Sequence, residues 1–183
     1  MAAYGSNALA DTYFSSQLWA TDWTGASDND KTSGRTMATE AVDSMKYEGV
    51  KHSVWQAMID AGGDPAETSE QLLANTTLTE LELQAADALQ VNQFPRDDED
   101  TVVPDAILWA TYEEAKSLMS GRDPEQEFRN LILNSDGVGT NRVTMDQSEV
   151  HPEHSAHLIT SPLAWKYIQR FLAKNNTFNM KRS

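Results

Sequence analysis

Three histidines spaced three apart, in His151-Pro152-Glu153-His154-Ser155-Ala156-His157, form the tightest cluster of reactive side chains in the sequence. Imidazole is a common transition-metal ligand, and this spacing could bring three rings to one side of a helix. Pro152, however, disfavours helical backbone at His151, and the surrounding carboxylates match no hydrolytic motif. A solvated or interface loop is the preferred reading. A metal-dependent hydrolase using His151, His154 and His157 is the weakest of three functional readings. The acidic run Asp97-Asp98-Glu99-Asp100 could offer oxygens to calcium, yet it lacks the alternating ligand spacing and turn glycine of an EF-hand loop. Gly137-Val138-Gly139 is too short for a dinucleotide site. No Gly-Lys-Ser/Thr cradles phosphate, and no Gly-x-Ser-x-Gly marks a nucleophile elbow. Cysteine is absent, which excludes disulfides and thiolate chemistry. Neither an enzyme nor a cofactor is expected.

Arg96 is the other side chain of distinctive chemistry. In Phe94-Pro95-Arg96 the proline holds the preceding residue extended, and a proline-fixed turn favours a fixed, structural arginine. Its guanidinium is expected to lock the turn onto carboxylates of the same subunit, such as Asp97 or Asp98. A bridge between subunits is the alternative. After the acidic loop comes the clearest helix of the chain. Ile107, Leu108, Thr111, Tyr112, Ala115, Leu118 and Met119 recur at the spacing of one helical face, with Glu113, Glu114, Lys116 and Ser117 on the other. Pro104 suits its first turn and Gly121 its left-handed C-terminal cap.

The remaining elements surround that helix. Ser6 and Asn7 are expected to cap a short helix with Leu9, Tyr13, Phe14 and Leu18 inward, flanked by Trp19 and Trp23. These aromatics read as core, or one tryptophan as a subunit contact. Ser27 caps a second helix over 28 to 47, with Met37, Ala38, Ala41, Val42 and Met45 inward and Gly49 ending it. Residues 52 to 90 read as an inserted helical hairpin: an apolar piece at Val54, Trp55, Met58 and Ile59, a break at Gly62 to Pro65, then Leu78, Leu81, Ala85, Ala88 and Leu89 on one face. Asp123-Pro124 opens a further helix with Phe128, Leu131 and Ile132 apolar. Weak alternation predicts an extended arm or hairpin between 138 and 148, within an irregular stretch 138–160. Ser161 caps the last helix, Pro162 takes its first turn, and Leu163, Ala164, Tyr167, Ile168, Phe171 and Leu172 recur at helical spacing. The fold class is therefore mainly α: a compact bundle over 1–173 with an inserted hairpin and a loop or β-arm before the C-terminal helix, then a tail, 174–183.

Composition bounds the function. The 183 residues carry 39% hydrophobic side chains, enough for one modest core. No run approaches the roughly 20 apolar residues of a membrane span, and the N-terminus lacks the basic-then-apolar order of a signal peptide. The net charge of −14 argues against tight binding of nucleic acid through phosphate neutralisation. The only basic concentration is Lys166, Arg170, Lys174, Lys181 and Arg182.

Several blocks together resemble the tailed-phage head-tail connector, or adaptor, family that often carries the label DnaT-like. Tyr4-Gly5-Ser6 leads into Ala10 to Phe14. Ala41-Val42-Asp43 runs on to Tyr47-Glu48-Gly49-Val50-Lys51. Phe94-Pro95-Arg96 precedes Val103-Pro104 and an alanine-bearing helix, and Gly137-Val138-Gly139 precedes Ser161 to Tyr167 and Phe171-Leu172. The blocks occur in the family's order over most of the chain, and residues 52 to 90 depart from it as extra sequence. The resemblance implies a structural virion protein at the capsid vertex, present in host cytoplasm before assembly. It would form a homo-oligomeric ring, twelvefold to match the portal protein, joined to a tail-side neck, tail-tube or nozzle protein. Double-stranded DNA would pass through without specific binding. The C-terminal helix and tail, with Lys166, Arg170, Lys174, Lys181 and Arg182, would reach the portal. The label taken literally gives the second reading, a single-stranded DNA binder in replication, which needs a basic groove with stacking aromatics.

Overall fold

A computed structural model of the chain describes residues 3–97, 102–132, 135–138, 141–144 and 157–173. The fold is mainly helical, and helix α7 (Asp105–Met119) is its axis. Helix α3 (Asp28–Asp43) packs along one side of α7 and α9 (Pro162–Ile168) along another, while α1 (Asn7–Phe14) and α2 (Thr21–Thr24) cover the α3–α7 seam. Side-chain caps set several helix starts. Ser6 accepts from Leu9 N–H, Ser27 from Asp30 N–H, and Ser161 from Ala164 N–H with Pro162 in the first turn. Gly121 follows α7 at φ 87°, the left-handed geometry that relieves the last carbonyls.

Two apolar clusters share α7. One gathers Tyr4, Val42, Tyr47, Phe94, Ile107, Ile159 and Ile168. The other gathers Phe14, Ala20, Trp23, Ala38, Tyr112 and Ala115, and Leu108 packs against both. Because neighbours surround α7 on more than one side, its polar face is buried too: Glu113 and Glu114 are 1% and 0% exposed, against the expectation that they face solvent. A single-face reading fails for a helix at the centre of a bundle.

The segment 52–90 departs from the expected hairpin. It forms three helices, α4 (His52–Asp60), α5 (Ser69–Asn75) and α6 (Glu80–Leu89), around their own small core of Val54, Met58, Leu72 and Ala86. Helix α5 exists because Thr68 and Gln71 form a reciprocal capping box, as Thr79 and Glu82 do for α6. The inward face of α6 is Leu83 and Ala86, so Leu81 and Leu89, expected inward, are exposed.

Helix α3 ends at Asp43, four residues earlier than expected, because Tyr47 turns extended to pair antiparallel with Leu172. Leu9, Leu18 and Met37, also expected inward, are exposed. Helix α8 (Pro124–Ile132) starts where expected, with the Asp123 carboxylate accepting from Glu125 N–H. A short antiparallel pair follows, β1 (Ser135–Val138) with β2 (Asn141–Thr144). Most of the arm expected over 138–160 lies outside the described residues, as does the tail. A 3-10 turn, Gln169–Phe171, extends α9. Among the described residues no helix is long and apolar enough to cross a membrane.

Candidate functional site

The turn at 94–96 is a junction of distant segments. Phe94 is buried, and its ring meets Tyr47 edge-on at 4.7 Å, Phe171 at 5.5 Å and Tyr4 at 6.4 Å. The Phe94–Pro95 peptide is cis. Backbone pairing then runs beside it: His52 N–H donates to the Pro95 carbonyl, Asp97 N–H to the Val50 carbonyl, and Lys51 lies opposite Arg96. This pairing carries α4 and the whole 52–90 unit onto the turn.

Arg96 is buried, and the partners described for its guanidinium are oxygens of carbonyl and amide groups; Asp98 lies outside the described residues. Its Nε donates to the Glu48 carbonyl at 2.8 Å, Nη2 to the Gly49 carbonyl, and Nη1 to Gln93 Oε1 at 2.9 Å. The Asp97 carboxylate is instead taken by Val50 N–H at 2.9 Å. Gly49 makes this possible. Its φ is 75°, and a Cβ there would sit 2.0 Å from Asp97 Oδ2. At 8% exposure Arg96 is buried within the chain.

Tyr4 joins the N-terminal block to the same junction. Its hydroxyl donates to Asp43 Oδ1 at 2.5 Å and accepts from Phe94 N–H at 2.9 Å. Burial pushes the Tyr4 phenol well above the usual tyrosine range, and the hydrogen bond to Asp43 adds to it. Burial likewise pushes the Asp43 carboxyl up, against the Tyr4 hydrogen bond that pulls it down. Arg35, a second buried arginine, holds the block from the other side. It donates to the carbonyls of Tyr4 and Gly5 and to Asn7 Oδ1, and burial lowers its pKa.

Glu114 fastens the C-terminal helix. Its carboxylate accepts from Thr160 N–H, from Thr160 Oγ1–H at 2.9 Å and from Ser161 N–H at 2.9 Å, at the positive end of α9. Burial pushes the Glu114 carboxyl up while these donors pull it down. Neighbouring Glu113 accepts from the Tyr13 hydroxyl at 3.0 Å and pairs with Lys116. Sequence reasoning missed both glutamates and Arg35. The apolar run Ala106-Ile107-Leu108-Trp109-Ala110, which goes all round the helix, was the available signal for α7.

The basic residues assigned to partner binding divide. Lys166 and Arg170 are exposed on the last helical segment, with the Arg170 guanidinium 4.7 Å from the Phe171 ring centre. Lys174, Lys181 and Arg182 lie outside the described residues. Of the histidines, His157 stacks on Trp165 at 4.8 Å, and His151 and His154 lie outside. Among the described residues no group of three histidine or carboxylate side chains could hold a metal ion. The tryptophans at 19 and 23 also divide. Trp23 is fully buried with Nε1–H donating to Asp11 Oδ1 at 2.7 Å, whereas Trp19 stands in solvent.

Two open grooves accompany these features. One of about 520 Å³ lies beside the turn, between Val50 to Val54 and α6, and contains the Lys51–Asp87 ion pair. The other, about 770 Å³, lies among α2, α3, α7 and the start of α8. No family model, no curated protein and no solved structure matches the chain.

Proposed function

We propose that this chain is a structural virion protein, a head-to-tail adaptor whose copies form a ring between the portal and the tail and extend the DNA channel. The observation that carries the reading is the junction at Phe94 to Arg96. Tyr4, the 47–49 block, the 94–96 turn and Phe171 come from the separate stretches that resemble the adaptor family, and here they fix one another. Blocks that match in order also meet in space, which supports reading them as parts of one core.

Charge is consistent with the role. Twelve copies of a chain of net charge −14 would surround the channel with a field that repels phosphates and keeps DNA mobile. Against that background the exposed Lys166 and Arg170 suit an acidic face on the portal. The tail-side partner would meet the opposite end of the ring.

The experiment is to mix the purified protein with its cognate portal ring and image the product by electron microscopy. A twelvefold collar on the tail-facing end is the expected result. An intact portal with no added density would overturn the adaptor role and turn attention to oligonucleotide binding, whose mark is steep salt dependence.

A further inference from the structure

Leu18 and Trp19 are 90% and 85% exposed, side by side, at the corner between α1 and α2. The corner is anchored on both sides. Phe14 before it and Ala20 after it are buried, Gln17 N–H donates back to the Phe14 carbonyl, and Ala20 accepts from Trp23 and Thr24. A fixed backbone therefore holds two large apolar side chains in water. An anchored tryptophan of this kind loses little conformational entropy on contact, which is why such residues dominate protein interfaces.

The α2–α3–α7–α8 groove is the concave counterpart. Met37, Leu118, Met119 and Pro124 give it an apolar lining, and Met37 is 55% exposed. Methionine adapts to an inserted ring through its flexible, polarisable thioether. The groove also carries exposed carboxylates at Asp22 and Asp30, acceptors for the one donor an indole has. Its volume of about 770 Å³ has room for an indole and a leucine side chain together. Leu81, Ala85 and Leu89 on α6 are exposed too, but they do not line the groove that α6 forms with Val50 to Val54.

We infer that the Leu18–Trp19 corner of one copy inserts into the methionine-lined groove of a second copy of this chain. Thr21 and Asp22 of the groove follow Trp19 within three residues, so knob and groove adjoin and two copies can exchange them reciprocally. The two side chains would supply on the order of 300 Å² of the roughly 800 Å² that one partner of a specific interface contributes, enough for its centre. The inference goes beyond the ring reading and stands without it.

The absence of cysteine makes the test direct. Full-length Leu18→Cys is mixed with full-length Ser33→Cys, which places a thiol on the groove's exposed edge, and separately with Ala85→Cys on α6. Under mild oxidation at high protein concentration, the Leu18–Ser33 pair is expected to give the dominant mixed disulfide. Adding Trp19→Ala should cut its yield by about tenfold or more while leaving the circular dichroism unchanged. A dominant Leu18–Leu18 or Leu18–Ala85 product, no product, or a yield indifferent to Trp19 would overturn the inference. A portal collar that forms without the cross-link removes the knob contact alone; the cross-link without a collar keeps the self-contact and removes the adaptor role.

Discussion

The Nε of Arg96 donates to the carbonyl oxygen of Glu48 at 2.8 Å, joining segments 48 residues apart in the chain. Nη2 reaches the next carbonyl, Gly49, so the planar fork spans two successive peptide groups. A lysine at this position would keep the charge but places its three donors on one compact ammonium, without the planar fork that spans the Glu48, Gly49 and Gln93 oxygens, so these buried acceptors would be met with poorer geometry. Arg96→Lys is expected to cost about 2–4 kcal/mol, measured by denaturant unfolding. A loss within about 0.5 kcal/mol, the usual scatter of surface changes, would show that the junction does not depend on the fork.

Glu114 makes a comparable link between α7 and α9, with acceptors only. Glutamine has the same shape, but its NH₂ would face the donors of Thr160 and Ser161. Glu114→Gln should destabilise the fold by about 2–3 kcal/mol, the scale of hydrogen bonds to a charged group. Amide exchange should localise the effect, with faster exchange in α9 than in α3.

Four tyrosines set an alkaline limit. Burial is the leading cause that raises the phenols of Tyr4, Tyr13, Tyr47 and Tyr112 above the ordinary 10.0. The native state thus holds these protons more tightly than the unfolded chain does. Their stabilisation is complete below pH 10 and is lost as pH rises above 10 toward the raised native values. The structure gives the reason: the Tyr47 hydroxyl donates to the Val42 carbonyl at 2.6 Å, which a phenolate cannot do. Denaturant midpoints should hold steady from pH 8 to 10 and fall beyond it, together with the absorbance change of tyrosine ionisation. Tyrosine ionisation that precedes any loss of stability would contradict this. Asp11 runs the opposite way. Its hydrogen bond from Lys31 lowers its pKa, so its contribution is present above pH 3.8 and fades on acidification, and it is small because the carboxylate is half exposed.

Trp19 and Trp23, four residues apart, should behave oppositely in the isolated chain. Trp23 fills the α1–α3–α7 core, so Trp23→Ala is expected to cost about 3–5 kcal/mol through the cavity it leaves. Trp19→Ala should stay within about 0.5 kcal/mol. Thermal melts of the two variants at low concentration decide it, and equal losses would place Trp19 in a core contact.

How much of this was legible in the sequence depended on how many neighbours each element has. Helices α1, α3, α7, α8 and α9 could be located because their ends carry local signals, such as Ser6, Ser27, Gly121 and Ser161, that act on their own backbone. Burial was read only in part for α9: Ala164 and Ile168 are buried as expected, but Leu163, also expected inward, is exposed. It was read badly for α7, whose Glu113 and Glu114 are enclosed by tertiary neighbours that no periodicity reveals. In α6 the exposed leucines outnumber the buried ones, so the loudest apolar face was the wrong one. Arg96 was read as structural from its proline, but its described partners are two backbone carbonyls and the Gln93 side-chain amide, which no sequence pattern marks. The residues expected to meet a portal were chosen from the family resemblance and their charge, and the exposure of Lys166 and Arg170 keeps them available for that contact without assigning the contact.

That contact can be tested by charge. Lys166 and Arg170 lie one helical turn apart on the exposed side of the last helical segment, so reversing both should leave the fold intact. If they meet an acidic portal face, Lys166→Glu with Arg170→Glu should weaken portal association by about tenfold or more, mainly through a slower on-rate, and flatten its dependence on salt. Removing 174–183 should weaken it independently, because it takes Lys174, Lys181 and Arg182 away from the same end of the chain. Binding assays over a range of ionic strength distinguish this from a lost apolar contact, which would change the off-rate and leave the salt slope as it was. Unchanged co-purification of both variants with the portal would place the binding surface elsewhere, and the uncovered apolar face of α6 would then be the next surface to mutate.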